Sequence, residues 1–218
     1  LGAGLGGATR AVSKEFKIWI HGIESDPDLA RAGQALSEIA GLAKRAPIHA
    51  ESLRDLDIKS ASLDVVFARE AFVGVEDKLR LMQIIESGLK GKGQLLFTDY
   101  VLTGPGAHDR AIAAWKDGEP EDVAPWAVDD YLQVMKDLDL DVRIKEDRTD
   151  THIADIKQGW AAFMDSAGQD GRLEAYGELA LKECDLWNRR LKALEGGGLR
   201  LYRFHALKPD HGRMLSDW

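Results

Sequence analysis

Leu1-Gly2-Ala3-Gly4-Leu5-Gly6-Gly7 opens the chain, and an acid at the end of an apolar run, Glu24 in His21-Gly22-Ile23-Glu24-Ser25, follows it at about the twenty-residue spacing of a nucleoside-binding α/β unit. Glycines let the backbone turn sharply and approach a ligand closely. A carboxylate after the next strand accepts from both ribose hydroxyls. Gly2, Gly4 and Gly7 of the turn, with Glu24 and Ser25 beyond it, are the first candidate cofactor residues. Ile48-His49-Ala50-Glu51-Ser52 supplies a second station. There a Glu51 carboxylate could accept from an adenine amino group, beside the small Ser52 whose backbone N–H reaches a ring nitrogen. Arg69 and Asp99 close two further strand patterns. Glycine turn and acid alone fit nicotinamide, flavin and S-adenosylmethionine enzymes alike, and glycine clusters also occur in loops that bind nothing.

The elements that position these residues alternate. Helices are expected over 7–16, 26–44 and 76–89, the second with Asp26 as N-cap and Pro27 at its first position. Strands are expected over 17–23, 47–50, 62–68 and 94–99, the last entered through a Gly91-Lys92-Gly93 turn. Such alternation means a parallel sheet covered on both faces, with ligands at the carboxyl ends of its strands. Residues 101–127 hold Gly104, Pro105, Gly106, Gly118, Pro120 and Pro125 and are expected to form a lid or insertion with a short helix around Ala111–Trp115. Helix 128–138, strand 141–146, helices 151–165 and 173–194, and a last strand 199–207 complete the pattern. Trp115 and Trp126 of the lid are expected in the core, as are His21 and His49 beside their strands. A glycine turn of this kind should follow a buried strand. Only Leu1 precedes it, so the first strand is expected to be missing from a truncated sequence.

Composition sets bounds. The 218 residues make one domain, 44% apolar and 30% charged, as in ordinary globular proteins. A net charge of −8 without a basic block argues against nucleic acid as the partner. The lone Cys184 excludes an internal disulfide framework. No apolar run reaches membrane-span length, and a cytoplasmic location is the default.

Leu63-Asp64-Val65-Val66-Phe67-Ala68-Arg69-Glu70 resembles the "FDvVfsre" strand of class I methyltransferases, and Gly91-Lys92-Gly93-Gln94-Leu95-Leu96-Phe97-Thr98-Asp99 resembles their "PGGxLlixD" strand. Gly91 stands where proline is usual and Lys92 replaces a glycine. The order and spacing of the four stations match that fold. The resemblance implies a seven-stranded, mostly parallel Rossmann-like sheet with the last strand antiparallel, and S-adenosylmethionine as cofactor.

The second half resembles the phosphoethanolamine N-methyltransferases: Thr98-Asp99-Tyr100, Val128-Asp129-Asp130-Tyr131, Glu146-Asp147-Arg148-Thr149-Asp150, Trp187-Asn188-Arg189-Arg190 and the Tyr202–Lys208 ending carry the likeness. It implies that Asp99 orients the acceptor amine, and that Tyr131, Arg148 and Arg190 bind the substrate, the arginines gripping its phosphate. Many members read "RDxxxHIxDK" where this chain reads Arg69-Glu70-Ala71-Phe72-Val73-Gly74-Val75-Glu76-Asp77-Lys78, so Gly74 replaces the histidine. His108, downstream of Asp99, is a candidate partner. The function expected is methyl transfer to the nitrogen of a small amino compound, phosphoethanolamine or a relative, by in-line displacement that needs no metal. The alternatives are a nicotinamide-dependent oxidoreductase and a non-catalytic binding module on the same fold.

Overall fold

A computed structural model of the chain describes residues 1–104, 110–169 and 172–210. The candidate His108 lies outside them. The first half runs α1 (Gly7–Phe16), β1 (Gly22–Glu24), α2 (Pro27–Ile39), β2 (Ile48–Ala50), β3 (Leu63–Arg69), α3 (Lys78–Gly88) and β4 (Leu89–Leu102). The second runs α4 (Arg110–Gly118), α5 (Val128–Asp137), β5 (Asp141–Asp147), α6 (Thr149–Gln169), α7 (Arg172–Glu195) and β6 (Leu199–Leu207).

Local chemistry explains most boundaries. The Asp26 carboxylate accepts from the N–H groups of Asp28 at 2.7 Å and Leu29 at 3.1 Å, which satisfies two orphan donors of α2. That helix ends at Ile39 rather than 44, just before Gly41 turns with φ +68°. The strand expected over 17–23 shrinks to Gly22–Glu24. The Gly91-Lys92-Gly93 turn is a bulge inside β4 rather than its start. The register with β3 jumps from Leu63–Leu89 to Val65–Gln94, and Lys92 takes φ +65° to absorb the extra residues.

The described strands form two sheets, not one of seven. β1 and β2 pair in parallel, and the other four lie in the order β3-β4-β6-β5. β3 and β4 are parallel, while β6 runs antiparallel to both β4 and β5, so the last strand has the expected reversed direction. The first three residues join the two sheets. The Leu1 amino group donates to Phe67 O at 2.7 Å, and Ala3 N–H donates to Ile23 O at 2.9 Å. Gly2 between them, at φ +64°, turns the chain so that the two donors reach different sheets.

β4 is covered on both faces, and its alternation sorts the core. Leu95, Phe97 and Val101 face a layer with Leu81, Met82 and Ile85 of α3, Tyr131 and Met135 of α5, and Phe204 of β6. Tyr100 faces the opposite layer with Ile112 and Trp115 of α4, Leu194 of α7 and Leu201 of β6. Trp115 is a core residue, as expected, and Trp126 packs partly buried against the first layer. His21 and His49 are not core residues. Both are exposed, with ring centroids 5.5 Å apart.

Candidate functional site

A cleft of about 540 Å³ opens at the carboxyl ends of β1, β2 and β3. Ser25, Ser52 and Arg54 line it from the sheet side, Ala71 and Gly74 from the loop after β3, and Pro120, Glu121 and Asp122 from the segment between α4 and α5. Of the cofactor residues expected from sequence, Ser25 and Ser52 line this cleft. Gly2, Gly4 and Gly6 all have positive φ, at +64°, +52° and +75°. At Gly2 a Cβ would fall 2.4 Å from Ala71 Cβ, so only glycine permits that approach; at Gly4 it would meet nothing within 4 Å. Gly6 was not among the sequence candidates. It is the N-cap of α1, whose first turn has no side-chain cap, and Gly7 is the first helical residue.

Glu24 is half-buried beside this turn. One carboxylate oxygen accepts from Gly4 N–H at 2.6 Å and the other from Asp26 N–H at 3.0 Å. Each carboxylate oxygen carries two lone pairs, so each can still accept from a hydroxyl. Glu51 donates its backbone N–H to Glu24 O at 2.9 Å, which ties the second station to the first. Ser52 Oγ accepts from Arg54 N–H at 3.1 Å and turns the chain along the cleft. Arg69 is exposed at the end of β3.

Asp99 does not occupy the position expected of it. It lies on the same face of β4 as Phe97 and Val101 and is fully buried. One oxygen accepts from Val73 N–H at 3.1 Å and the other from the Tyr131 hydroxyl at 2.6 Å. The carboxylate faces no acceptor space; it holds the loop after β3, whose Gly74 lines the cleft. Tyr131 is likewise fully buried, so its hydroxyl serves Asp99 rather than a ligand. Burial pushes the Asp99 carboxyl up to about 7, against the pull of the Tyr131 hydroxyl and of Lys78. Lys78, not singled out in sequence, is also fully buried. Its ammonium donates to Val75 O at 2.6 Å and Ala124 O at 2.5 Å and lies 5.9 Å from the Trp126 ring centroid. Burial lowers its pKa to about 8, with the Asp99 charge opposing. The signal was present in the Asp77-Lys78 end of the "RDxxxHIxDK" comparison.

A polar group of different character sits beyond the other face of β4. Glu70 takes φ +47°, a strained conformation for a non-glycine residue of the kind that clusters at functional sites. It is held there by its N–H to Thr98 O at 2.8 Å and by the Thr98 hydroxyl donating to one carboxylate oxygen at 2.6 Å. The other oxygen lies 4.0 Å from Arg69 Nη2, and the side chain keeps 22% exposure. Tyr100 Oη lies 2.8 Å from His152 Nε2. Burial lowers the His152 pKa, opposed by the nearby Glu70 charge, and burial raises that of Tyr100.

Neither expected phosphate arginine stands open. Arg190 donates from Nε and Nη2 to the two oxygens of Glu119 at 2.6 and 2.5 Å and stacks 4.5 Å over Trp187. Arg148 pairs with Glu146 at 3.3 Å, and Arg203 holds the same carboxylate at 2.5 Å. Each expected arginine thus has a carboxylate partner: Glu146 is two residues from Arg148, whereas Glu119 and Arg190 meet only in the fold.

Residues 1–97 match the family model described as a methyltransferase domain. The glycine/sarcosine/dimethylglycine N-methyltransferase of Actinopolyspora halophila is 28% identical over 99 residues, 45% of this chain and 18% of that protein. Phosphoethanolamine N-methyltransferase 1 of Arabidopsis thaliana is 24% identical over 160 residues, 72% of this chain and 31% of that protein. The chain therefore spans less than a third of the length of these two relatives. Among solved structures, phosphoethanolamine N-methyltransferase 2 of Haemonchus contortus in complex with S-adenosyl-L-methionine superposes with a TM-score of 0.83, over 96% of this chain and 47% of that one, at 18% identity. The fold is that of the class I methyltransferases. No described helix is long and apolar enough to cross a membrane.

Proposed function

We propose that this chain is an S-adenosylmethionine-dependent methyltransferase domain acting on the nitrogen of a small amino compound. The observation that carries the reading is the glycine turn braced by Glu24 at a cleft on the carboxyl ends of the strands. The residues fit the cofactor. Gly4 borders open space, Gly2 lets Ala71 pack close against the turn, Glu24 retains lone pairs for two ribose hydroxyls, and Glu51 and Ser52 follow β2 as the residues assigned to the adenine. S-adenosylmethionine supplies a methyl group already activated on a sulfonium, so the protein's part is to hold the acceptor in line and exclude water.

Glu70 replaces Asp99 as the carboxylate that meets the acceptor. It is partly exposed, fixed by Thr98 on one oxygen and available on the other. A carboxylate there stabilises the positive charge that develops on an attacking nitrogen. His152, whose pKa burial lowers, shares a hydrogen bond with Tyr100, and the amine loses its proton to solvent before it enters. Asp99 becomes a positioning residue for the loop between Glu70 and Gly74. A phosphate-bearing acceptor is the favoured class. That preference rests on likeness to the phosphoethanolamine N-methyltransferases alone, since Arg190 and Arg148 are each paired with a carboxylate.

The test is a methyl-transfer assay by mass spectrometry on a panel of phosphoethanolamine, ethanolamine, glycine, sarcosine and dimethylglycine. Methylation of one amine, with phosphoethanolamine fastest, is the expected result. Cofactor binding without transfer to any amine would overturn the acceptor class.

A further inference from the structure

The segment Glu119–Ala127 between α4 and α5 contains no helix or strand, yet it is fastened at both ends by buried charges. At its start, the Glu119 carboxylate accepts from Arg190 of α7 through two bonds and from the Trp115 indole N–H at 2.5 Å. The Glu119 side chain is 7% exposed and that of Arg190 18%. Toward its end, the buried Lys78 ammonium donates to Ala124 O and lies by Trp126, while Ala124 N–H donates to Val73 O at 2.8 Å. Leu102 N–H then donates to Trp126 O at 3.0 Å. Between the anchors, Pro120, Glu121 and Asp122 line the cleft. Asp122 O lies 4.0 Å from where a Cβ on Gly74 would stand. Any side chain longer than that of alanine at position 74 would press on the strap, so Gly74 lets it sit close.

We propose that Lys78 and Glu119 are positioning residues that hold this strap down over the cleft, so that the rate at which a bound cofactor leaves is set by two anchors that do not touch it. The inference rests on the reading of the cleft as the cofactor site. A backbone without a ladder of its own opens locally at low cost, whereas separating Glu119 from Arg190, or the Lys78 ammonium from Ala124 O, leaves a buried charge without its partner. Neither anchor lines the cleft: Lys78 is fully buried beside Asp99, and Glu119 is closed off by Arg190 and Trp115.

Stopped-flow measurement of S-adenosylhomocysteine dissociation from the full chain, for the parent, Glu119→Gln and Lys78→Met, tests this. Glu119→Gln keeps the shape and an acceptor for Trp115 but removes the charge. Each variant is expected to release the ligand at least fivefold faster, with association changed less than twofold, and hydrogen exchange should rise at amides 119–126 without rising in β4. If Lys78→Met does not fold, Glu119→Gln alone decides. Parental dissociation rates in a parent that binds the ligand overturn the strap and leave the cofactor reading intact. A parent that binds neither S-adenosylmethionine nor S-adenosylhomocysteine overturns both. Faster exchange throughout the sheet would assign Glu119 a general stabilising role and overturn the proposal.

Discussion

Asp99→Asn is the most informative single change, because it removes a buried charge and leaves the shape. The parent carboxyl is raised from 3.8 to about 7, a net value that already includes the opposing pull of Tyr131, Lys78 and Val73 N–H. A raised carboxyl binds its proton more tightly folded than unfolded. Its contribution to stability is thus complete below about pH 4 and is lost as pH rises through about 7. At 1.36 kcal/mol for each pH unit between the two values, the loss is about 4 kcal/mol. The amide of the variant cannot titrate, so the variant escapes it. Tyr131 can turn its hydroxyl to accept from the new amide, and the carbonyl can still accept from Val73 N–H. The Lys78 pKa is lowered to about 8 and depends on the Asp99 charge, so the comparison stops at pH 7.0. Urea unfolding of parent and variant at pH 4.5, 5.5, 6.2 and 7.0 measures the difference; titrations common to both cancel. The stability of the variant relative to the parent should climb by several kcal/mol from the lowest to the highest pH. Parallel curves, within about 0.5 kcal/mol, would show that Asp99 is not held as a raised carboxyl and refute the reasoning.

Glu70→Gln should lower kcat by about 10²-fold, the scale of one preorganised electrostatic contact, while cofactor affinity stays within a few fold; an unchanged kcat in steady-state assays removes Glu70 from the acceptor site. Glu24→Gln should weaken S-adenosylmethionine binding about tenfold or more in calorimetry, since charge-assisted bonds contribute about 1.5–3 kcal/mol each, and equal affinity would sink the ribose assignment.

Much of the cofactor half was legible in sequence because it rests on local rules. The glycine turn, the Asp26 cap and the β-branched run of β3 each act within a few residues, and the structure places them where those rules put them. The register of β4 was legible too: the alternation that buries Leu95, Phe97 and Val101 also buries Asp99. Reading Asp99 as a strand-end ligand overlooked that β4 continues to Leu102. Lys78 could not be read as buried from its type, since lysine is rarely so unless paired, and its partners Val75, Ala124 and Asp99 converge only in three dimensions. Glu119 and Arg190 are 71 residues apart, so the pair that closes the expected phosphate fork had no sequence signal. Glu70 had one, in the Arg69-Glu70 pair after β3, but its left-handed backbone and its bond to Thr98 are properties of the fold.

The central claim is that this cleft holds S-adenosylmethionine and delivers its methyl group to a small amine. The most direct measurement is incubation of the full chain with methyl-deuterated S-adenosylmethionine and phosphoethanolamine, followed by mass spectrometry of both products. The expected result is one deuterated methyl group on the amine for each S-adenosylhomocysteine formed, and about tenfold less label with Glu24→Gln at cofactor concentrations below the parent's Kd. S-adenosylmethionine left unbound by the parent, with no label on any amine of the panel, would contradict it.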